Sequence, residues 1–256
     1  MKDNFSIQSP SYAQFRPGYP AQMFDFLFDN CKSLDCAWDC ATGNGQIANV
    51  LADHFRQVEA TDISENQLKN ATQKPNIRYQ MGRAETPDFP DHCFDLVTVG
   101  QAAHWFDFEK FYPEVRRVLK PVGLLALVGY NLLRVDKPTE AVIEHFYNTI
   151  LHGCWDAERH LVETAYRTIP FPFDEIPFPE MASTYSWAVE QLLGYLNTWS
   201  AVQHFIRKNG ESPISEDFVA QLKEVWPEGE IRRVRFPIFG RVGVFHATAL
   251  RRNETT

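Results

Sequence analysis

The run Trp38-Asp39-Cys40-Ala41-Thr42-Gly43-Asn44-Gly45-Gln46-Ile47-Ala48 decides how the rest of the chain is read. A short apolar stretch ends in an acid and is followed by two glycines one residue apart. Without Cβ atoms, Gly43 and Gly45 let a tight strand-to-helix turn bring backbone close to a ligand, with the first N–H groups of the next helix facing it. Residues 46–55 place Ile47, Val50, Leu51 and Phe55 at helical spacing, the pattern of a helix laid on one face of a sheet. Residues 57–61 read as a second short strand, with Asp62 at its carboxyl end. Strand, glycine turn, helix, strand and acid open a doubly wound sheet whose acid is placed to hold the hydroxyl pair of a ribose.

Upstream, residues 1–20 are polar and turn-rich and end in Tyr12-Ala13-Gln14-Phe15-Arg16-Pro17-Gly18-Tyr19-Pro20. Pro17 and Pro20 restrict their own backbone and that of the residues before them, so a defined arm is expected rather than a strand. Its composition alone favours a surface tail packed on the first helix over a strap across a ligand. An apolar helix follows at 21–30, and the first strand is expected at 34–39.

Downstream, Ser64 and Gln67 resemble a capping box opening a second helix. Residues 77–81 read as a third strand, and 94–100 as a fourth, buried on both faces. A helix at 109–119 and a strongly apolar fifth strand at 124–128 complete a parallel, helix-covered sheet. Residues near 137–165 and 181–225 then read as helices, separated by the proline- and phenylalanine-rich run 169–179, which is expected at a domain seam or pocket rim. Residues 231–236 and 241–250 alternate around Pro237-Ile238-Phe239-Gly240 and are expected to form an antiparallel hairpin closing the sheet. Four regions result: an arm and first helix over the site at 1–33, a cofactor-binding core at 34–130, a mainly helical substrate cap at 131–228 and a closing hairpin at 229–256.

The 256 residues suffice for one large domain with an insertion, and 44% apolar with 23% charged residues describes a globular protein rich in Phe and Trp. A formal charge of -8 opposes nonspecific binding to nucleic acid or anionic membrane. No stretch is long and apolar enough to span a bilayer, and no hydrophobic signal core follows Met1, so a cytoplasmic protein is expected. Cys31, Cys36, Cys40, Cys93 and Cys154 lack a Cys-x-x-Cys pair, which favours free thiols and no metal site.

These residues resemble the Rossmann-like class I S-adenosylmethionine-dependent methyltransferases, more narrowly the small-molecule enzymes similar to trans-aconitate methyltransferase. The resemblance implies a mostly parallel α/β sheet with an antiparallel last strand and a helical cap inserted after strand five. It implies that Asp39, Gly43 and Gly45, with Ala41 between them, hold the methionine end of S-adenosylmethionine, and that Asp62 with Ile63 holds the ribose. The loop Gly82-Arg83-Ala84-Glu85 is similar to the family's adenine loop, placing Ala84 and Glu85 at the base. Gly100 and Gln101 end the fourth strand beside the cofactor. The family commonly has glycine where Ala41 stands; alanine fits if its backbone stays at negative φ. Arg83 occupies a position often acidic in relatives, which leaves Glu85 or main-chain atoms for the adenine amino group.

Methyl transfer from a sulfonium is an in-line displacement that needs no metal, and holding the acceptor opposite sulfur supplies most of the effect. His104 lies beyond the fourth strand, where ligands bind in open sheets, and is the candidate to orient or deprotonate an acceptor. Trp105 and Tyr130 are candidate pocket walls, and Tyr12, Arg16 and Tyr19 a second substrate group in which Arg16 neutralises a carboxylate. A carboxylate or hydroxyl acceptor on a small molecule is expected, with the protein a monomer or homodimer. Asn131, Trp155, Tyr185 and Trp187 rank below these as pocket residues. Two other readings remain open: an NAD(P)-dependent oxidoreductase, since Gly43-x-Gly45-x-x-Ala48 also fits the dinucleotide pattern, and a noncatalytic adenosylmethionine-binding regulatory protein. Arg232, Arg233, Arg235 and Arg241 are too local for a nucleic-acid track.

Overall fold

Near-continuous apolar strands need cover on both faces, and this requirement sets the architecture of the computed structural model, which describes residues 15–246. Strands β1 (Cys36–Cys40), β2 (Gln57–Asp62), β3 (Ile77–Met81), β4 (Phe94–Gly100) and β5 (Leu119–Tyr130) run parallel in the order β3-β2-β1-β4-β5. Alternate side chains enter opposite cores. Ala37, Leu96, Leu124 and Ala126 face helices α1 (Ala21–Asn30) and α2 (Gln46–Leu51) on one side, the short α3 (Glu65–Lys69) lying between β2 and β3 in sequence. Trp38, Val97, Leu125 and Leu127 face α4 (Phe108–Val118) on the other. Each fully buried Leu or Val contributes about 1.5–3 kcal/mol.

The insertion after β5 contains α5 (Lys137–His145), a π-helical turn at Phe146–Ile150, and α6 (Arg159–Glu163). The short strands β6 (Asp174–Ile176) and β7 (Met181–Trp187) follow, and then α7 (Val189–Asn197), α8 (Ser200–Asn209) and α9 (Glu216–Val225). Asp136 and Ser215 cap α5 and α9 through the N–H groups of Thr139 and Phe218. The last strand, β8 (Arg232–Val244), lies antiparallel to β5 and also pairs antiparallel with β6 and β7. The expected α/β sheet, parallel except at its end and interrupted by a helical cap, is therefore present. Among the described residues no helix is long and apolar enough to cross a membrane.

Two segments differ from expectation. Residues 181–187, expected within a helix, form β7; Thr184, Tyr185 and Trp187 suit a strand, and the helical period begins only at Val189. The expected closing hairpin is, in its described part, one continuous strand. Pro237-Ile238-Phe239-Gly240 makes no turn, because Pro237 pairs with Ala182 of β7 while Phe239 and Gly240 already pair with β5. Gly240 is small for a packing reason: a Cβ there would lie 2.7 Å from Phe178. Gly243 is likewise covered, its Cβ position 2.7 Å from Phe171 and 2.8 Å from Phe173. The proline- and phenylalanine-rich run thus lies across the end of the sheet, with Phe178 also meeting Phe26 of α1 edge-on. Gly240→Ala should destabilise by about 1–3 kcal/mol, since overpacking at a rigid contact forces the backbone or ring to shift. Denaturant unfolding checks this, and Phe178→Ala in the same chain should recover part of the loss.

Candidate functional site

At the carboxyl ends of β1 and β2 the glycine turn is held by two acids. Asp62, 8% exposed, accepts the Gly43 N–H on Oδ2 and the Ser64 N–H on Oδ1, both at 2.8 Å. Asp39, 1% exposed, accepts the Thr42 hydroxyl at 2.5 Å and the Ala48 N–H at 3.0 Å on Oδ2, and the Thr98 hydroxyl at 2.8 Å on Oδ1. Burial pushes Asp39 up to about 6, and these three donors oppose the shift. Ala41 sits at φ 56, so the expectation of a negative φ is corrected: alanine here occupies a left-handed conformation that glycine takes at less cost. Gly43 and Gly45 also have positive φ, at 58 and 81.

A cleft enclosing about 880 Å³, its open mouth included, is lined by Asp39, Ala41, Gly43, Asp62, Ile63, Gly100 and Gln101 of the expected cofactor residues. Gly45 serves the turn, since a Cβ there would overlap the Tyr79 hydroxyl. Ala84 and Glu85 are not on the cleft wall: Ala84 is buried in the α4-side core, and Glu85 Oε1 accepts the Asp107 N–H at 3.2 Å. Thr42, Asn44, Gln46, Ile47, Ser64 and Gln67 also line it, though the sequence marks none of them as a cofactor residue. Ser64 and Gln67 were visible only as a cap, yet Gln67 Oε1 is buried without a partner among the described residues. That acceptor suits the amino edge of a purine.

The charges of this cleft fit a cationic nucleoside. Asp39 and Asp62 flank the loop, and Arg16 is the one basic side chain on the wall among the described residues. The Gly43 N–H is held by Asp62 and the Ala48 N–H by Asp39, so these two donors serve the turn, while Gln46 and Ile47 at the start of the helix line the cleft. A pyrophosphate at this turn would lie against two carboxylates, which weighs against the nicotinamide reading of the same glycines.

Part of the arm forms the near wall. Arg16, Pro17 and Tyr19 line the cleft, while Tyr12 lies outside the described residues. The arm is fastened to β7: the Gly18 N–H donates to the Tyr185 hydroxyl at 2.8 Å, and the Ser183 hydroxyl donates to the Gly18 carbonyl at 2.6 Å. Arg16 donates to the Tyr130 hydroxyl at 3.0 Å and the Thr198 carbonyl at 2.8 Å. Tyr185 is thus an anchor, and Trp187 packs on Phe236 in the core. Asn131 donates its main-chain N–H to Pro237 and is on neither cavity wall.

A second cavity adjoins the first through three shared residues, Arg16, Gln101 and Trp105. Its other walls are His104, Trp155, Asp156, Arg159, Trp199 and Ser200. Apart from His104 and Trp155 these were missed; an arginine and a serine inside a helical cap carry no sequence pattern that marks a pocket. Gln101 has φ 51 and uses its amide to clamp the main chain of Tyr130, accepting its N–H at 2.8 Å and donating to its carbonyl at 3.2 Å. His104 is 9% exposed, and burial with the nearby Arg159 charge pushes it down to about 3. An imidazole so poor at holding a proton is a weak general base at neutral pH.

Ala41→Gly should stabilise the protein by up to about 1 kcal/mol. Relief of about 1–2 kcal/mol of left-handed strain exceeds the 0.4–1 kcal/mol or so of added unfolded-chain entropy. The urea midpoint reads this directly, and a lowered midpoint would contradict it.

Residues 38–127 match the family described as a methyltransferase domain. A Dictyostelium discoideum protein named as a methyltransferase is 30% identical over 244 residues, 93% of each chain. A solved structure from Anaeromyxobacter dehalogenans, named as a type II methyltransferase, is similar with a TM-score of 0.84 at 36% identity, covering 91% of this chain and 100% of that one. The YcgJ protein of Bacillus subtilis shares the fold at a TM-score of 0.52 and 19% identity, over 89% of this chain and 99% of its own. Similar over nearly its whole length to proteins named for one activity, and carrying a cleft charged for a cationic nucleoside, the chain belongs to the class I S-adenosylmethionine-dependent methyltransferases.

Proposed function

We propose that the second cavity holds a small acceptor through an ionised oxygen, a carboxylate before any other, and presents it to the cofactor cleft across the neck formed by Arg16, Gln101 and Trp105. The observation that carries this reading is that neck: the same three residues line both cavities, so a donor in one and an acceptor in the other lie on either side of this one set of side chains. Bound S-adenosylmethionine supplies an electrophilic methyl on a positively charged sulfur, and the reaction neutralises that charge against the acceptor's.

The chain's own groups divide the work. Asp62 accepts from the ribose hydroxyls while keeping its hold on Gly43 and Ser64, since each carboxylate oxygen has more than one lone pair. Asp39 fixes the turn through three protein donors and offers its charge to the methionine end of the cofactor at short range. In the acceptor cavity two guanidinium groups, Arg16 and Arg159, stand with one carboxylate, Asp156, which leaves a net attraction for a single anionic group. Trp105, Trp155 and Trp199 supply flat apolar walls for the carbon skeleton, as pockets of this size usually require. Tyr19 and Tyr130 close the cofactor side and keep water from the reacting atoms. A carboxylate is ionised at neutral pH, so His104 need not remove a proton.

Turnover of adenosylmethionine to adenosylhomocysteine with panels of carboxylic acids, phenols and amines tests the reading. Acids should be methylated first, and Arg159→Met should raise the acceptor KM about 10–100-fold, the loss of one charge-assisted contact, with adenosylhomocysteine affinity unchanged. Methylation of neutral amines with no acid turnover would reject it.

A further inference from the structure

Tyr166 lies in a backbone conformation that side-chain-bearing residues avoid. It follows α6 through two consecutive left-handed residues, Ala165 at φ 53 and Tyr166 at φ 58, in a turn closed by the Tyr166 N–H on the Leu161 carbonyl at 2.8 Å. Such strain persists where the surroundings fix it, and it clusters near functional groups. The ring is wholly buried, edge-on to Phe239 with centroids 5.0 Å apart. Its hydroxyl lies 3.0 Å from His104 Nδ1.

The direction of that hydrogen bond follows from the lack of any other acceptor for the phenol proton. The ring is wholly buried, and Nδ1 is the one hydrogen-bond partner of its hydroxyl among the described residues. The phenol proton must then go to Nδ1, and the imidazole keeps its own proton on Nε2. Nε2 has no partner among the described residues, and the ring is part of the acceptor-cavity wall. We infer that Tyr166 is a positioning residue that locks His104 as the neutral Nε2–H tautomer, so that the acceptor cavity meets its substrate with an imidazole N–H donor rather than a base.

The charged groups around His104 favour the same state. Burial first, and then the Arg159 charge on α6, disfavour a second ring proton; Arg16 from the arm lines the same cavity, and Asp156, before α6, is the one anion on that wall among the described residues. Tyr166, raised by burial, stays a phenol. With Arg16 and Arg159 the imidazole completes a set of donors, so an acceptor must arrive already ionised. That consequence rests on the proposed acceptor reading, whereas the tautomer rests on the geometry alone.

Long-range proton–nitrogen spectra of the nitrogen-15-labelled full chain, recorded from about pH 5.5 to 8 with His104→Gln to assign the resonance, read the tautomer directly. Wild-type protein should show a protonated Nε2 and a bare Nδ1 throughout, with no imidazolium. Tyr166→Phe, which keeps the ring and removes the hydroxyl, should lose the single tautomer or begin to titrate in this range. A wild-type Nδ1–H, a wild-type imidazolium near pH 6, or an unchanged tautomer in Tyr166→Phe would each overturn the inference. With adenosylhomocysteine bound, benzoate should shift the Nε2–H signal and benzamide should not. An intact tautomer with no benzoate response would overturn the acceptor reading while leaving the role of Tyr166 standing.

Discussion

The hydrogen bond from the Gly43 N–H to Asp62 joins the turn after β1 to the end of β2, and the ligand chemistry depends on that joint. A glycine turn at a helix start ordinarily offers bare N–H groups and draws anions. Here Asp62 takes the Gly43 N–H and Asp39 the Ala48 N–H, which sets two carboxylates beside the turn. The same fold that binds a dinucleotide pyrophosphate elsewhere thereby becomes a cleft for a cation. Thr98 of β4 contributes from the neighbouring strand, so three strands define where the negative charge sits.

Around that centre the chain places its mobile-looking parts under firm control. The arm is fastened at Gly18 by Ser183 and Tyr185 of β7, and Phe15 fills the space that Gly194 leaves open on α7. Arg16 is consequently aimed at Tyr130 and the carbonyl of Thr198, at the neck between the two cavities. Gln101 reaches the same neck from β4, held in a left-handed conformation by its grip on the Tyr130 backbone. Ala41, Gln101 and Tyr166 hold left-handed backbone at the cavity walls and their supports, while His92 and Val122 hold it at the other end of the sheet.

Much of the sheet was legible because its signals are local. Apolar runs marked β4 and β5, the glycines marked the first turn, and Asp62 followed from its place at a strand end. What was misread depended on distant partners. Residues 181–187 run into the helical pattern that follows Val189, while the need for a strand comes from β8, some fifty residues later. Gly240 looked like a turn residue, but its small size answers Phe178 on another segment. The second cavity was the least legible part: Asp156, Arg159, Trp199 and Ser200 come from separate pieces of the cap, and only the folded chain sets them against Arg16 and His104. The adenine-side residues Ala84 and Glu85 illustrate the converse, a loop recognisable by pattern whose side chains face the protein interior.

The central claim is that the paired carboxylates orient an adenosylmethionine so that its sulfur faces the neck between the cavities. A crystal structure with adenosylhomocysteine bound measures this most directly. The account predicts both ribose hydroxyls within hydrogen-bond distance of Asp62 and the thioether turned toward Arg16, Gln101 and Trp105. A nucleoside lying elsewhere than over the ends of β1 and β2, or a sulfur pointing away from the second cavity, would contradict it.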